Sequence, residues 1–117
     1  METPDAITCL SALAHEGRME VFRLLVRAGP EGLAAGEIAQ STGALSNTLS
    51  TNLGILSRAG LVASRRDGRS IIYTAAFGRM RELLAFLMED CCAGKPEVCA
   101  PLAAMVSQPC SAEGSAC

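Results

Sequence analysis

The sequence predicts a mainly α fold carrying a two-stranded β-hairpin. Three observations lead there. Apolar residues recur at helical spacing in five separate stretches. The period switches to alternation at Leu61. Asp67-Gly68 then lies between two alternating runs, the pattern of a tight two-residue turn. A length of 117 residues matches one domain. Half of the residues are hydrophobic, but there are only three Phe, one Tyr and no Trp. Such a core is small and Ala-rich, and it gains by sharing itself with a second copy.

The first helix spans residues 5–14, with Ile7, Leu10 and Leu13 on one side and Pro4 suited to the first turn. Cys9 lies inside it and reads as a small buried hydrophobe. The second spans 16–28, with Met19, Phe22, Leu25 and Val26 apolar and Arg18, Glu20, Arg23 and Arg27 polar. Glu20 and Arg23 are spaced to pair at i, i+3, and Gly29-Pro30 stops the helix. His15, the single histidine, falls at the junction, where a polar cap or packing role is expected. A short helix over 34–42 carries Ile38 and Ala39 and breaks at Gly43.

The fourth helix, 45–58, places Leu45, Leu49, Leu53 and Leu56 in one stripe. Its other side carries Asn47, Ser50, Thr51, Gly54 and Arg58, with Ser46 and Thr48 flanking. The hairpin pairs 61–66 with 69–74, and both Asp67 and Gly68 are expected at positive φ. A last helix runs from 77 or 78 to about 91 on Met80, Leu83, Leu84, Leu87 and Met88. Gly94 and Pro96 end it, and the Ala-, Ser-, Pro- and Gly-rich remainder reads as loose, with 107–117 disordered. The chain thus divides into a folded part, 1–92, and a cysteine-containing tail, 93–117.

Helix, break, helix, hairpin is the order of a winged helix-turn-helix. In that architecture the second helix of the pair presents short polar side chains to base edges. Ser46, Asn47, Ser50 and Thr51 do so without bulk, and Arg65, Arg66 and Arg69 around the turn suit phosphate and minor-groove contacts. The net charge of −2 hides an uneven distribution. Over 44–76, Arg58, Arg65, Arg66 and Arg69 face Asp67 alone, whereas 82–117 sets Lys95 against Glu82, Glu89, Asp90, Glu97 and Glu113. Apolar stripes on the first and last helices predict a homodimer formed across a two-fold axis. No phosphate loop, Ser/His/Asp set or carboxylate pair stands out, so no enzyme is expected. No apolar run reaches membrane-spanning length, and the acidic N-terminus lacks the pattern of a secretory signal, so a cytoplasmic protein with no membrane partner is expected.

Four segments resemble the ArsR/SmtB family of metal-responsive repressors: Ala12-Leu13-Ala14-His15, 45–53, 56–62 and Arg66-Asp67-Gly68-Arg69. The resemblance covers about residues 6–92. It implies a cytoplasmic bacterial homodimer that holds double-stranded operator DNA until an inducer binds. The chain departs from the family pattern in its inducer sites. The Cys-x-Cys box before the recognition helix is replaced by Ala34-Ala35-Gly36-Glu37-Ile38-Ala39, and the His-and-acid zinc site of the last helix is missing. Asn52 also stands where the family commonly has His, which bears on base preference.

An inducer site must then come from elsewhere, and the cysteines offer one. Five of the six (Cys91, Cys92, Cys99, Cys110 and Cys117) lie from position 91 onward. A disulfide framework is the weaker reading, because the expected compartment is reducing and a bond between adjacent cysteines is strained. Cys91, Cys92 and Cys99 offer three sulfurs without an imidazole, which suits a soft, thiophilic ion such as trivalent arsenic. Zinc prefers four ligands, and Cys110 or Cys117 could add one. Glu89, Asp90 and the helix C-terminus oppose thiolate formation, which hinders a divalent cation more than neutral arsenite. Some family members with a Cys-Cys pair and a third Cys here respond to arsenite, so the resemblance implies trivalent arsenic as inducer and no organic cofactor. The alternatives are a thiol redox or sulfide sensor, a Cd, Zn or Sb sensor, and a cysteine-tailed arsenic chaperone.

Overall fold

The computed structural model describes residues 1–89. The expected tail and its cysteines, from Cys91 onward, lie outside the described residues. In order along the chain the elements are α1 (Thr3–Leu13), α2 (Glu16–Ala28), β1 (Leu33–Ala34), α3 (Ala35–Thr42), α4 (Ser46–Arg58), β2 (Val62–Asp67), β3 (Ser70–Ala75) and α5 (Phe77–Leu87).

Local chemistry fixes the helix ends. Asp5 Oδ2 accepts from the Glu2 amide at 3.2 Å, and Pro4 sits in the first turn of α1. His15 is the N-cap of α2, its Nδ1 accepting from the Arg18 amide at 3.3 Å. Arg18 reaches back the other way, its Nε donating to the Ala12 carbonyl at 2.6 Å and its Nη2 to that of Ser11 at 3.4 Å. The two helices are therefore locked at their junction from both sides. Glu37 Oε1 accepts from the Ala34 amide at 2.9 Å at the start of α3, and Gly43, with φ of 72°, closes that helix.

The sheet has three antiparallel strands in the order β1-β3-β2, one more than the hairpin expected from sequence. Leu33 pairs with Tyr73 and Ala34 with Ile72. Two residues carry no alternation, so periodicity has nothing to detect. Gly32 makes this strand possible: its φ of 70° and ψ of −171° suit glycine alone. A Cβ there would press into the Tyr73 carbonyl oxygen and lie 2.6 Å from Thr74 Cγ2. The hairpin turn also sits one residue further along than expected. Asp67 pairs with Ser70 as extended strand, so Gly68 and Arg69 are the turn residues, with φ of 64° at Gly68.

The core gathers Val21, Leu25, Ile38, Leu56, Leu61 and Leu83, with Cys9 buried among them. The Cys9 thiol donates to the Ala59 carbonyl at 3.5 Å, so the small-hydrophobe reading holds with one polar contact added. Leu49, Leu53 and Leu56 are buried as the stripe predicts, but Leu45 is 73% exposed. It precedes the first helical turn, so its side chain leaves the stripe. Helix α5 ends at Leu87, short of the expected position 91. Among the described residues the ion pair is Arg79–Glu82 at 3.7 Å; Glu20 and Arg23, both exposed, do not form one. No helix among the described residues is long and apolar enough to cross a membrane. Ile7 and Leu10 on α1 and Leu84 and Leu87 on α5 remain exposed.

Candidate nucleic-acid interface

Helix α4 is divided cleanly. Leu49, Asn52, Leu53 and Leu56 face inward, and Ser46, Asn47, Ser50 and Thr51 are exposed. Positions four apart stack on a helix, so Ser46 sits beside Ser50 and Asn47 beside Thr51, giving one polar face. The hydrogen bonds within it are local. Asn47 Oδ1 accepts from the Thr48 amide at 2.9 Å, and the Thr51 hydroxyl donates to the Asn47 carbonyl at 3.0 Å. Among the described residues no hydrogen bond engages Asn47 Nδ2 or the Ser46 and Ser50 hydroxyls. This is the donor and acceptor repertoire that reads base edges.

The C-terminal end of α4 is held firmly. The Ala59 carbonyl accepts from both Cys9 Sγ, at 3.5 Å, and Arg79 Nε, at 3.4 Å. The Arg79 side chain lies across Gly60, whose φ of 79° carries the chain from the helix into β2.

The three wing arginines divide as well. Arg65 Nη2 donates to the Glu31 carbonyl at 2.8 Å and Nη1 to that of Pro30 at 3.4 Å. It thereby ties β2 to the 3-10 turn Gly29–Glu31 and sets how the wing sits. Arg66 and Arg69 are exposed near the tip, and no hydrogen bond or ion pair within the described residues engages them. Spacing alone does not separate these roles, because the partners of Arg65 lie 34 and 35 residues away. Asn52 is missing from the polar face altogether. It is 6% exposed and packs beside Gly17, whose Cβ would lie 3.2 Å from both Asn52 Nδ2 and His15 Cε1. A role for it in base preference therefore does not follow from its position. Cys91, Cys92 and Cys99 are outside the described residues.

A family pattern described as a helix-turn-helix domain matches residues 13–65. The HTH-type transcriptional regulator Rv0081 of Mycobacterium tuberculosis is 45% identical over 74 residues, 62% of each chain. Its crystal structure aligns at 34% identity over 84% of this chain and 89% of that one, with a TM-score of 0.55. The homodimeric winged helix-turn-helix DNA-binding domain of Mb0332 from Mycobacterium bovis is a possible ArsR-family regulator. It aligns at 26% identity over 83% of this chain and 84% of that one, with a TM-score of 0.61. The chain belongs to the helix-turn-helix transcriptional regulators. Reduced HlyU from Vibrio cholerae aligns at 30% identity over 73% of this chain and 90% of that one, with a TM-score of 0.59. The chain spans 62% of the length of the curated Rv0081 regulator that it matches. In such a regulator, α3 and α4 are the helix-turn-helix pair, and β2 and β3 are the wing.

Proposed function

We propose that this helix-turn-helix regulator is a homodimeric ArsR-type repressor that binds double-stranded operator DNA and releases it when trivalent arsenic is captured by Cys91, Cys92 and Cys99. The observation that carries the DNA-binding half is the exposed polar face of α4, Ser46, Asn47, Ser50 and Thr51, together with the uncommitted Arg66 and Arg69 of the wing. Helix α4 lies in the major groove. Arg66 and Arg69 follow the phosphates, and Arg65 contributes by fixing the wing's pitch. Ile7, Leu10, Leu84 and Leu87 form the subunit contact, which covers apolar side chains that one chain leaves in water. A homodimer then spaces two α4 helices about 34 Å apart, one turn of DNA.

The inducer site rests on the three cysteines that follow α5 in sequence. Arsenite reaches the thiols as neutral As(OH)3. Three S–H groups and three As–OH groups become three As–S bonds and three waters, so net charge is unchanged. The cysteines follow α5 in sequence, and α5 carries part of the subunit contact, so capture by them alters the spacing of the reading helices. A coupling of about 1–3 kcal/mol is usual for such linkage, and a firm switch needs about 5 kcal/mol. A reducing cytoplasm keeps the thiols ready. A second reading, release by thiol oxidation, is favoured by the likeness to HlyU, whose structure was recorded in its reduced form.

One experiment separates them. A duplex is recovered from a randomised pool with the reduced protein, and its release is followed by fluorescence anisotropy with arsenite, cadmium and an oxidant in turn. Release by arsenite at lower concentration than cadmium, lost in Cys91→Ser, Cys92→Ser and Cys99→Ser, is the expected result. Release by oxidant alone selects the redox reading. Arsenite release that survives all three substitutions removes the thiol site.

A further inference from the structure

Resting on the DNA-binding reading above, we propose that Leu45 is a base-reading residue that seats its side chain against the C5 methyl group of a thymine in the major groove. At 73% exposure it is the most exposed of the large apolar residues in the described part of the chain. It occupies the N-cap of α4, with φ of −69° and ψ of 149°, and makes no side-chain cap bond. Ser, Thr, Asp and Asn are the residues that satisfy the free amides at this position. A leucine there forgoes the cap and leaves an isobutyl group in water. Two local rules are broken at one position, and such conflicts concentrate where function requires them.

The helix starts here all the same. The Leu45 carbonyl accepts from the Leu49 amide at 2.9 Å, and Asn47 Oδ1 takes the Thr48 amide that a cap residue would otherwise accept. Leu45 is thus excused from capping by its neighbour. It adjoins Ser46 and Asn47, the first residues of the polar face, and the N-terminal residues of a recognition helix meet base edges. Hydroxyl and amide groups there find donors and acceptors. In the major groove the apolar feature is the thymine methyl. The apolar residues assigned to the subunit contact, by contrast, lie on α1 and α5.

The test uses the full chain and the duplex it recovers from a randomised pool, resynthesised with uracil replacing each thymine in turn. Wild type should lose about fourfold in affinity at one thymine per half-site, the loss expected for one buried methyl-sized group. Leu45→Ser should bind the thymine and uracil duplexes equally, while melting at or above the wild-type temperature because a serine there offers a cap to the Asn47 amide. Leu45→Met should retain the uracil penalty. The assignment is overturned if no thymine shows a penalty in wild type, if Leu45→Ser keeps the same penalty, or if Leu45→Ser alters the oligomeric state. Recovery of no duplex by wild type overturns the DNA-binding reading itself, and this assignment with it.

Discussion

The two ends of α4 are treated oppositely. At the C-terminal end the Ala59 carbonyl receives a thiol from α1 and a guanidinium from α5, so the helix is pinned to elements on either side. At the N-terminal end there is no cap side chain, and Leu45, Ser46 and Asn47 face solvent. The wing repeats the contrast. Arg65 is fastened to the Gly29–Glu31 turn, and Arg66 and Arg69 are exposed with no partner among the described residues. Rigid attachment on one side lets a few side chains on the other be presented without reordering, and that reduces the entropic cost of binding. Substitutions among the attached groups should therefore change stability first. Substitutions among the presented groups should change DNA affinity and leave stability almost untouched.

The strongest attack on the attached side is Gly32→Ala. It combines a backbone conformation open to glycine alone with a methyl group driven into β3. A loss of about 3 kcal/mol or more is expected in urea denaturation. An unchanged midpoint would show that β1 does not hold the wing. Arg65→Ala should cost about 1 kcal/mol through its two carbonyl contacts, and it should also weaken DNA binding by freeing the wing. Arg79→Ala should cost a similar or smaller amount, about 0.5–1 kcal/mol, because Cys9 still serves the Ala59 carbonyl. Thermal melting of the two variants side by side checks that order. Arg66→Ala, on an exposed residue, should stay within about 0.5 kcal/mol of wild type while DNA affinity falls.

What sequence reveals follows the same division. The helices and the hairpin announce themselves because burial of one face imposes a period, and the Leu49, Leu53 and Leu56 stripe is where it was expected. Strand β1 escapes because two residues have no period. The turn shifts by one residue because Asp67 pairs with Ser70 as extended strand, which leaves Gly68, at positive φ, and Arg69 to turn the chain. Leu45 fits the stripe by spacing, yet it sits one residue before the helix proper, where the geometry of a turn no longer directs its side chain inward. Arg65 looks like Arg66 in one dimension; its carbonyl partners are brought close only by the fold. The polar face of α4 was legible because Ser46, Asn47, Ser50 and Thr51 share a helical side. The thiol cluster Cys91, Cys92 and Cys99 rests on residue chemistry and on the family resemblance, and it lies outside the described residues.

The salt dependence of duplex binding tests the division between attached and presented groups most directly. The affinity of wild type, of Arg66→Ala/Arg69→Ala and of Arg79→Ala for the recovered duplex would be measured across a range of salt concentrations. Each phosphate contact contributes about 0.9 to the slope of log affinity against log salt. The double variant removes four arginines from the homodimer and should lower that slope by about 3.6 with its melting temperature unchanged, and Arg79→Ala should melt earlier with the slope intact. A wild-type slope preserved in the double variant would contradict the account, because the exposed arginines of the wing would then not be facing DNA.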